Sequence, residues 1–593
     1  MARNSAGKYR KLPVMNSSGS SAENSISLSF EGREIRCQPG ASIAAALTGA
    51  GELQLRETAS GEKRGLFCGM GVCQECRVIV DGQRSVRACM TPAREGLQVF
   101  KEKTPVSTTS DGDFDVNCGC VEILTPEILV IGAGPGGLVA ASVAAEAGAE
   151  VVVLDERLAG GGQYYKQPSS VDNVPESLSR DRQFSDGRLL IERVMRSGAR
   201  VLPGNQVWGA FVPNEFAVFD GEQSSIYRPN RTIVATGAYE RGLPTPGWTL
   251  PGVMTTGAAQ SMLRSYGTLP GRRVLIAGNG PLNLQVALEL SRAGAEVVAV
   301  AELARKPGAA STFEALRMGL AAPGLVTNGV RYLIGLRKSG VPVLYQQGVA
   351  SVEKTPTGLR AWTGKVRNGG IDAETSHDVD IVCMGYGFQP NNEILRCLGC
   401  RHNYDEYRGH LVTDRSSSCE TSVPGVYAIG DCCGLSGAPS ALQEGIIAAT
   451  AAVESLQPKV SPNHSKEYRR AARQLRRHQA FQTALWQIFA APRFQTELAK
   501  PDTLICRCEN VCLKDIEKAI GDSSQSIGAI KRRTRLGMGP CQGRYCAPLA
   551  ADLLAKRSGR PIEEFSFFAP RSPLKPLRIA DMISATRATE LSD

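Results

Sequence analysis

The 593-residue chain lacks any apolar run approaching the roughly 20 residues that a membrane-spanning helix requires, and its mean hydropathy is −0.15. A transmembrane reading is set aside. The opening MARNSAGKYRKLPVMNSSGSSAEN is basic and rich in Ser and Asn but has no apolar signal-peptide segment. Residues 1–25 are therefore expected to form a disordered arm. A cytoplasmic, reducing location follows, with peripheral association at the inner face of a membrane left open. The basic stretches at 466–479 and 531–535 belong to no recognised nucleic-acid motif, so the net charge of +10 implies no nucleic-acid partner. They read as solvated helix faces, or as counter-charges for something anionic. The five histidines, His377, His402, His410, His464 and His478, fall in no catalytic motif, and no catalytic residue is assigned. The 18 cysteines are too sparse for a disulfide scaffold, yet they cluster, which points to metal or redox chemistry.

At about 150 residues per domain, the length predicts about four domains. Residues 26–103 read as a β-rich module, with hairpins around Glu31-Gly32 and Asp81-Gly82. Residues 104–126 read as a linker. An apolar strand, a glycine turn, an Ala-rich helix and a second strand follow, and the pattern recurs from Arg272, giving two dinucleotide-type units. The expected layout is a first FAD segment over 127–243, a second dinucleotide domain over 244–380 and a second FAD segment over 381–455. A helical connector over 456–500, a second cysteine domain over 501–560 and an extended tail over 561–593 complete it.

Cys68, Cys73, Cys76 and Cys89 stand as C-x4-C-x2-C-x12-C. The first three match the plant-type [2Fe-2S] loop, in which thiolates converge from one tight turn and backbone N–H groups point at the sulfurs. Zinc is the competing ligand for four cysteines, but it favours paired C-x2-C knuckles, of which there is one here.

Gly132, Gly134 and Gly137, with Pro135 and Gly136 between them, form G-x-G-x-x-G after the strand ILVI. Asp155 ends the next strand, where it can accept from a ribose hydroxyl. The unit alone does not separate FAD from NAD. Further along, GGQ (Gly161, Gly162, Gln163), ATG (Ala235, Thr236, Gly237) and TSVPGVYAIGD, ending in Gly430 and Asp431, resemble the ordered signatures of the two-dinucleotide-binding-domain flavoproteins. The resemblance implies FAD, with GGQ beside the flavin ring and Asp431 on the ribityl chain. The second glycine motif keeps Gly278 and Gly280 but has Asn283 in third place and Glu302 near the end of the following strand. NAD(P) binding and a vestigial domain both stay open. A disulfide reductase needs a cysteine pair beside the flavin, and GGQYYKQ has none; Cys397 and Cys400, Cys432 and Cys433, and Cys118 and Cys120 read as packing cysteines.

Cys506, Cys508, Cys541 and Cys546, spaced C-x-C-x32-C-x4-C, resemble the bacterioferritin-associated-ferredoxin (BFD) type of [2Fe-2S] domain. KRRTRLGMG between the two pairs would supply cations for such a cluster, and Cys512 is a spare. An empty or zinc-bound domain is the alternative.

The order of parts, with SVRACMTPAREGLQV and IGDCCGLSGAPSALQEGIIAA, resembles the α (A) subunits of heteromeric amine-oxidising flavoenzymes. These include opine oxidases, hydrogen cyanide synthase, dye-linked proline and hydroxyproline dehydrogenases and heterotetrameric sarcosine oxidase. The implied fold is α/β, a two-dinucleotide-binding flavoprotein flanked by an N-terminal β-grasp ferredoxin-like domain and a C-terminal helical BFD-like domain. The implied function is that of an electron-transfer subunit carrying FAD and two [2Fe-2S] clusters. Its expected partners are a quinone or similar acceptor and a substrate-oxidising FAD-containing β subunit. The resemblance also allows an FMN at the subunit boundary. A stand-alone NAD(P)H-dependent ferredoxin-type reductase and a non-catalytic scaffold are the alternatives.

Overall fold

Alternation of apolar residues sets the first strands. Ile26–Phe30 and Arg33–Cys37 pair antiparallel around Glu31-Gly32, and Arg77–Val80 and Gln83–Arg87 pair around Asp81-Gly82. All four turn residues have positive φ (52°, 82°, 47° and 81°), the geometry whose twist matches that of hairpin strands. With Gln98–Lys103 and two short strands they form a seven-stranded sheet against the helix Ile43–Gly49, whose N-cap Ser42 accepts from Ala45 N. The computed structural model describes residues 25–103, 121–169, 181–367, 369–456, 462–521, 526–579 and 581–582. The expected N-terminal arm, most of the linker with Cys118 and Cys120, and the end of the tail lie outside the described residues. The side chain of His464 does too.

Two parallel sheets follow. The first runs Arg200–Pro203, Val151–Asp155, Ile128–Ile131, Arg231–Val234, Val426–Ala428, and the second Val253–Thr255, Ile381–Gly385, Arg273–Gly278, Glu296–Glu302, Val343–Tyr345. The boundary expected at 380/381 shifts accordingly. Ile381–Gly385 lies between two strands of the second sheet, and the chain returns to the first unit only through Phe388–Pro390, paired with the outgoing Ala238–Glu240. A buried apolar run flanked by glycines carries no mark of which sheet it joins.

The helix Pro462–Ile488 connects to a C-terminal module of three helices, Leu513–Gly521, Ile527–Thr534 and Ala547–Ser558, with two short strands. The basic residues Arg469, Arg470, Arg473, Arg476 and Arg477 lie on the exposed face of the connector helix, as a solvated face requires. The N-terminal module is not a separate bead: Leu28, Leu47 and Val78 share one core with Met254, Met262 and Ile276 of the second unit. Among the described residues no helix is long and apolar enough to cross a membrane.

Candidate functional site: one glycine loop and two cysteine quartets

The residues expected around FAD gather at the C-terminal ends of the first parallel sheet, the edge where such sheets take ligands. Gly132 follows Ile131, Asp155 ends its strand, Ala235–Gly237 follow Val234, and Gly430 and Asp431 follow Ala428. Three glycines there differ in what a side chain would meet. A Cβ on Gly132 would lie 2.4 Å from Ala235 O, and one on Gly137 1.9 Å from Gly132 O, so both serve backbone packing. A Cβ on Gly134 would meet nothing within 4 Å. Gly134 thus borders open space at the start of the helix Pro135–Glu146, where unpaired N–H groups favour a diphosphate. Gly162 closes on the same loop, since its Cβ would lie 2.8 Å from Gly134 Cα, and Gln163 follows it, half-buried. Gly136 lies against Ala441 O of the helix Ala438–Leu456, 3.0 Å from an added Cβ.

Asp155 accepts from Ala133 N and Arg157 N, both at 2.7 Å. Asp431 accepts from Ser436 N at 2.9 Å and Gly437 N at 2.8 Å. Burial raises both carboxyls above their ordinary value even though these N–H donors pull the other way. Thr236 Oγ1 donates to Asn391 O at 2.6 Å, tying ATG to the returning strand.

The second glycine motif is held by side-chain hydrogen bonds, although a Cβ on Gly280, like one on Gly134, would meet nothing within 4 Å. Asn283, in the third glycine position, is buried; it accepts from Thr256 Oγ1 at 2.9 Å and donates to Gly385 O at 3.0 Å. Hydrogen bonds thus stand where a glycine would permit close helix–strand contact. Glu302 accepts from Gly280 N at 3.0 Å, Ala304 N at 2.9 Å and Asn279 Nδ2 at 2.9 Å. Asn279 also donates to Phe489 O at 3.0 Å, so the end of the connector helix ties down the loop that carries Gly278 and Gly280.

In the N-terminal module the four cysteines are buried and interact as two pairs, Cys68 with Cys73 and Cys76 with Cys89. Cys73 N donates to Cys68 Sγ and Glu75 N to Cys73 Sγ, each at 3.4 Å. Burial pushes the Cys68 thiol up, but hydrogen bonds from the Cys73 thiol and from the N–H groups of Cys73, Met70 and Val72 outweigh it and bring it down to about 6. The C-terminal quartet repeats the pattern, with Cys506 beside Cys546 and Cys508 beside Cys541. The Cys546 thiol is the main cause that brings Cys506 down to about 7 against burial, with N–H groups of Gly537, Glu509 and Cys508 assisting. Among the described residues no group of three or more His, Cys, Asp or Glu side chains is arranged to hold a metal ion. Two thiols plus two thiols is the division that a two-iron centre uses, whereas zinc requires four ligands about one point.

The spatial relation of the quartets is what sequence reasoning missed. Cys73 and Glu75 line one small cavity together with Cys506, Cys508, Cys541 and Cys546. Tyr545, next to Cys546, stacks edge-on to Phe67, next to Cys68, at 5.5 Å, and lies 5.6 Å from Tyr239, two residues past the ATG segment. The first loop also docks on the second unit, where Thr255 N donates to Phe67 O at 2.9 Å. The basic stretch expected to balance the second cluster faces elsewhere. Arg532, Arg533 and Arg535 are exposed, because helix Ile527–Thr534 turns its apolar side, Ile527 and Ile530, inward. Of the other described cysteines, Cys400, Cys432 and Cys433 lie in the apolar core with Leu395 and Leu398, and the Cys432 and Cys433 sulfurs stand 3.7 Å apart as free thiols.

Residues 126–455 match the pyridine nucleotide-disulphide oxidoreductase family, residues 23–104 a 2Fe-2S iron-sulfur cluster binding domain, and residues 500–587 the sarcosine oxidase A3 domain. The chain is 32% identical to the A subunit of opine oxidase from Rhizobium meliloti over 483 residues, covering 77% of this chain and 87% of the relative. It is 31% identical to the HcnB subunit of hydrogen cyanide synthase from Pseudomonas aeruginosa, over 76% of this chain and 96% of the relative. The crystal structure of L-proline dehydrogenase from P. horikoshii shares the fold, with a TM-score of 0.68 at 17% identity over 95% of this chain and 98% of that one. With its flavoprotein core, its N-terminal 2Fe-2S domain and its C-terminal A3 domain, the chain belongs to the family formed by the A subunit of opine oxidase and the HcnB subunit of hydrogen cyanide synthase.

Proposed function

We propose that this chain is the electron-transfer subunit of a heteromeric enzyme that oxidises a secondary amine such as an opine or an N-alkyl or cyclic amino acid. FAD sits on the Gly132–Gly137 loop and a [2Fe-2S] cluster on each quartet. The observation that carries the reading is that Cys73 and Glu75 of the first cysteine loop share one cavity with all four cysteines of the second, with Tyr545 beside Tyr239 just past the ATG segment. Flavin supplies two-electron acceptance with one-electron release, and each cluster carries one electron. The chain's own residues hold and insulate. Gly134 leaves room for the diphosphate, Asp155 and Asp431 present carboxylates to hydroxyls, and N–H groups of both cysteine loops stabilise thiolates. Substrate oxidation belongs to a partner subunit with its own FAD, and electrons leave to a quinone or similar acceptor.

Against a stand-alone NAD(P)H reductase, Asn279 of the second loop is tied to Phe489 O at the end of the connector helix. The test uses the full chain purified anaerobically from its native source. A flavoprotein subunit co-purifies, an opine or other N-alkyl amino acid bleaches the flavin only in its presence, and NAD(P)H does not bleach the isolated chain. Rapid bleaching by NAD(P)H alone, or the absence of a co-purifying subunit, rejects the assignment.

A further inference from the structure

Between the two quartets lies a buried charge cluster to which both cysteine loops contribute. Arg56, Arg64, Glu75 and Arg507 are at most 4% exposed. Arg56 Nη2 stands 3.2 Å from Glu75 Oε1, Arg507 Nε 3.8 Å from the same oxygen, and Arg64 Nε 3.8 Å from Glu75 Oε2. Three guanidiniums thus face one buried carboxylate. The other nearby acids restore the balance only in part: Glu62, 3.6 Å from Arg64, is mostly exposed, and the buried Glu102, which acts on Arg56, is shared with Arg77 at 3.5 Å. Four polar atoms in the cluster, Arg56 Nε, Arg64 Nε, Arg507 Nε and Glu75 Oε2, have no hydrogen-bond partner.

Arg507 comes from the C-terminal module, between Cys506 and Cys508, while Glu75 comes from the N-terminal module, between Cys73 and Cys76. The Arg507 guanidinium is fixed over Phe67 at 3.9 Å and Trp248 at 4.7 Å, and it donates to Trp248 O at 2.8 Å. A buried excess of positive charge is costly unless anions lie nearby to compensate it. Two four-thiolate [2Fe-2S] clusters, each anionic, would be those anions, and the cavity that Glu75 and Arg507 line is bounded by cysteines of both quartets.

Resting on the two-cluster reading proposed for this chain, we infer that Arg507, with Arg56 and Arg64 around Glu75, is a shared counter-charge through which the two clusters form one coupled redox pair. Bound clusters would each accept one electron, one ferric ion in each becoming ferrous with no bond made or broken, and a reduced flavin in the same chain would supply both electrons and release its two protons to solvent. Because reduction adds negative charge, the arginines favour it at both clusters, and the first electron opposes the second. Arg507 is a positioning residue here, acting on potentials and not on substrate.

The experiment is an EPR-monitored redox titration of the anaerobically purified full chain, with iron and sulfide determined first. Four irons per chain are expected; fewer reject the two-cluster reading and this inference with it. At four irons, the fully reduced protein shows spectra split or broadened by spin–spin interaction that are absent from the half-reduced sample. Arg507→Gln lowers the midpoints of both clusters, Arg507→Lys restores them in large part, and Glu75→Gln raises both. Four irons with two unsplit signals, or a shift confined to the C-terminal cluster, overturns the coupling. If Arg507→Gln does not retain iron, the wild-type spectra and Glu75→Gln decide by the same criteria.

Discussion

A methyl group distinguishes two glycines of the first loop. At Gly137 it would fall 1.9 Å from a backbone oxygen, whereas at Gly134, where φ is −76°, it meets nothing and strains nothing. Gly137→Ala is therefore expected to destabilise the chain by about 1–3 kcal/mol, the usual cost of forcing atoms into a packed site. Gly134→Ala is expected to leave the flavin-free protein within about 0.5 kcal/mol of wild type, yet to weaken FAD retention. Urea denaturation of apoprotein and titration with FAD separate the two effects, and undiminished FAD affinity in Gly134→Ala would remove the diphosphate from this loop. A second single-residue device concerns acid. The buried His402 donates from Nδ1 to Cys400 O at 2.7 Å and faces Thr413 Oγ1 with Nε2 at 3.1 Å. Burial brings its pKa from 6.5 to about 4, and Glu564, 3.5 Å from Nδ1, does not reverse this. Since the folded value is the lower one, its contribution is complete above pH 6.5 and is lost as pH falls from 6.5 toward 4. The loss amounts to roughly 3 kcal/mol by linkage. His402→Gln should be less stable than wild type at pH 7 but decline less between pH 6.5 and 4.5; parallel declines in urea midpoint would refute this.

Among the helices, one side chain fastens three. Arg264 on Thr256–Tyr266 meets Glu289 on Pro281–Arg292 at 2.6 Å and Asp181, the N-cap of Arg182–Ser197, at 2.7 Å. Arg264→Met leaves Glu289 buried without its cation and should cost about 3–5 kcal/mol, with Arg264→Met/Glu289→Leu recovering most of it. Equal losses in single and double variants, measured by urea titration, would show that packing and not charge is at stake. The same elements show what a sequence can and cannot disclose. The strands, glycine loops and hairpins were legible because their signals are local: Asp81-Gly82 needs positive φ, and Gly132 needs the absence of a Cβ. The thiol spacings were local too. Glu75 and Arg507 were invisible, since each reads as an ordinary polar residue inside a cysteine loop until the fold sets one against the other. The exposed KRRTR stretch drew attention through charge density, although helix phase points it outward. Asn283 read as a defect because the hydrogen bonds that seat it come from Thr256 and Gly385, on other segments.

At the scale of the whole molecule, the two ends of the described chain hold the two cysteine quartets together. The N-terminal quartet docks on the second unit, the C-terminal quartet docks on the first quartet, and the tail beyond Pro561 returns to the FAD unit. Leu574 is 2% exposed in the core beneath Val207 and Val426, and Leu574 N donates to Trp208 O at 2.6 Å. Lys575 pairs with Glu156, next to Asp155, while Arg544 of the C-terminal module donates to Leu574 O at 2.9 Å. The tail therefore ties the C-terminal module to the nucleotide end of the first sheet. Ending the chain after Arg560 would leave an apolar hole at Leu574, worth about 2–5 kcal/mol by analogy with large-to-small core changes. It would also leave Glu156, held below the ordinary carboxylate value chiefly by Lys575 against the cost of burial, without that cation. The truncated chain is expected to unfold at lower urea and to retain less FAD. Its N-terminal quartet, seated on the second unit through Phe67 and Thr255, should still bind two irons. Loss of iron from both quartets to the same extent would show instead that the tail supports the junction of the two cysteine modules.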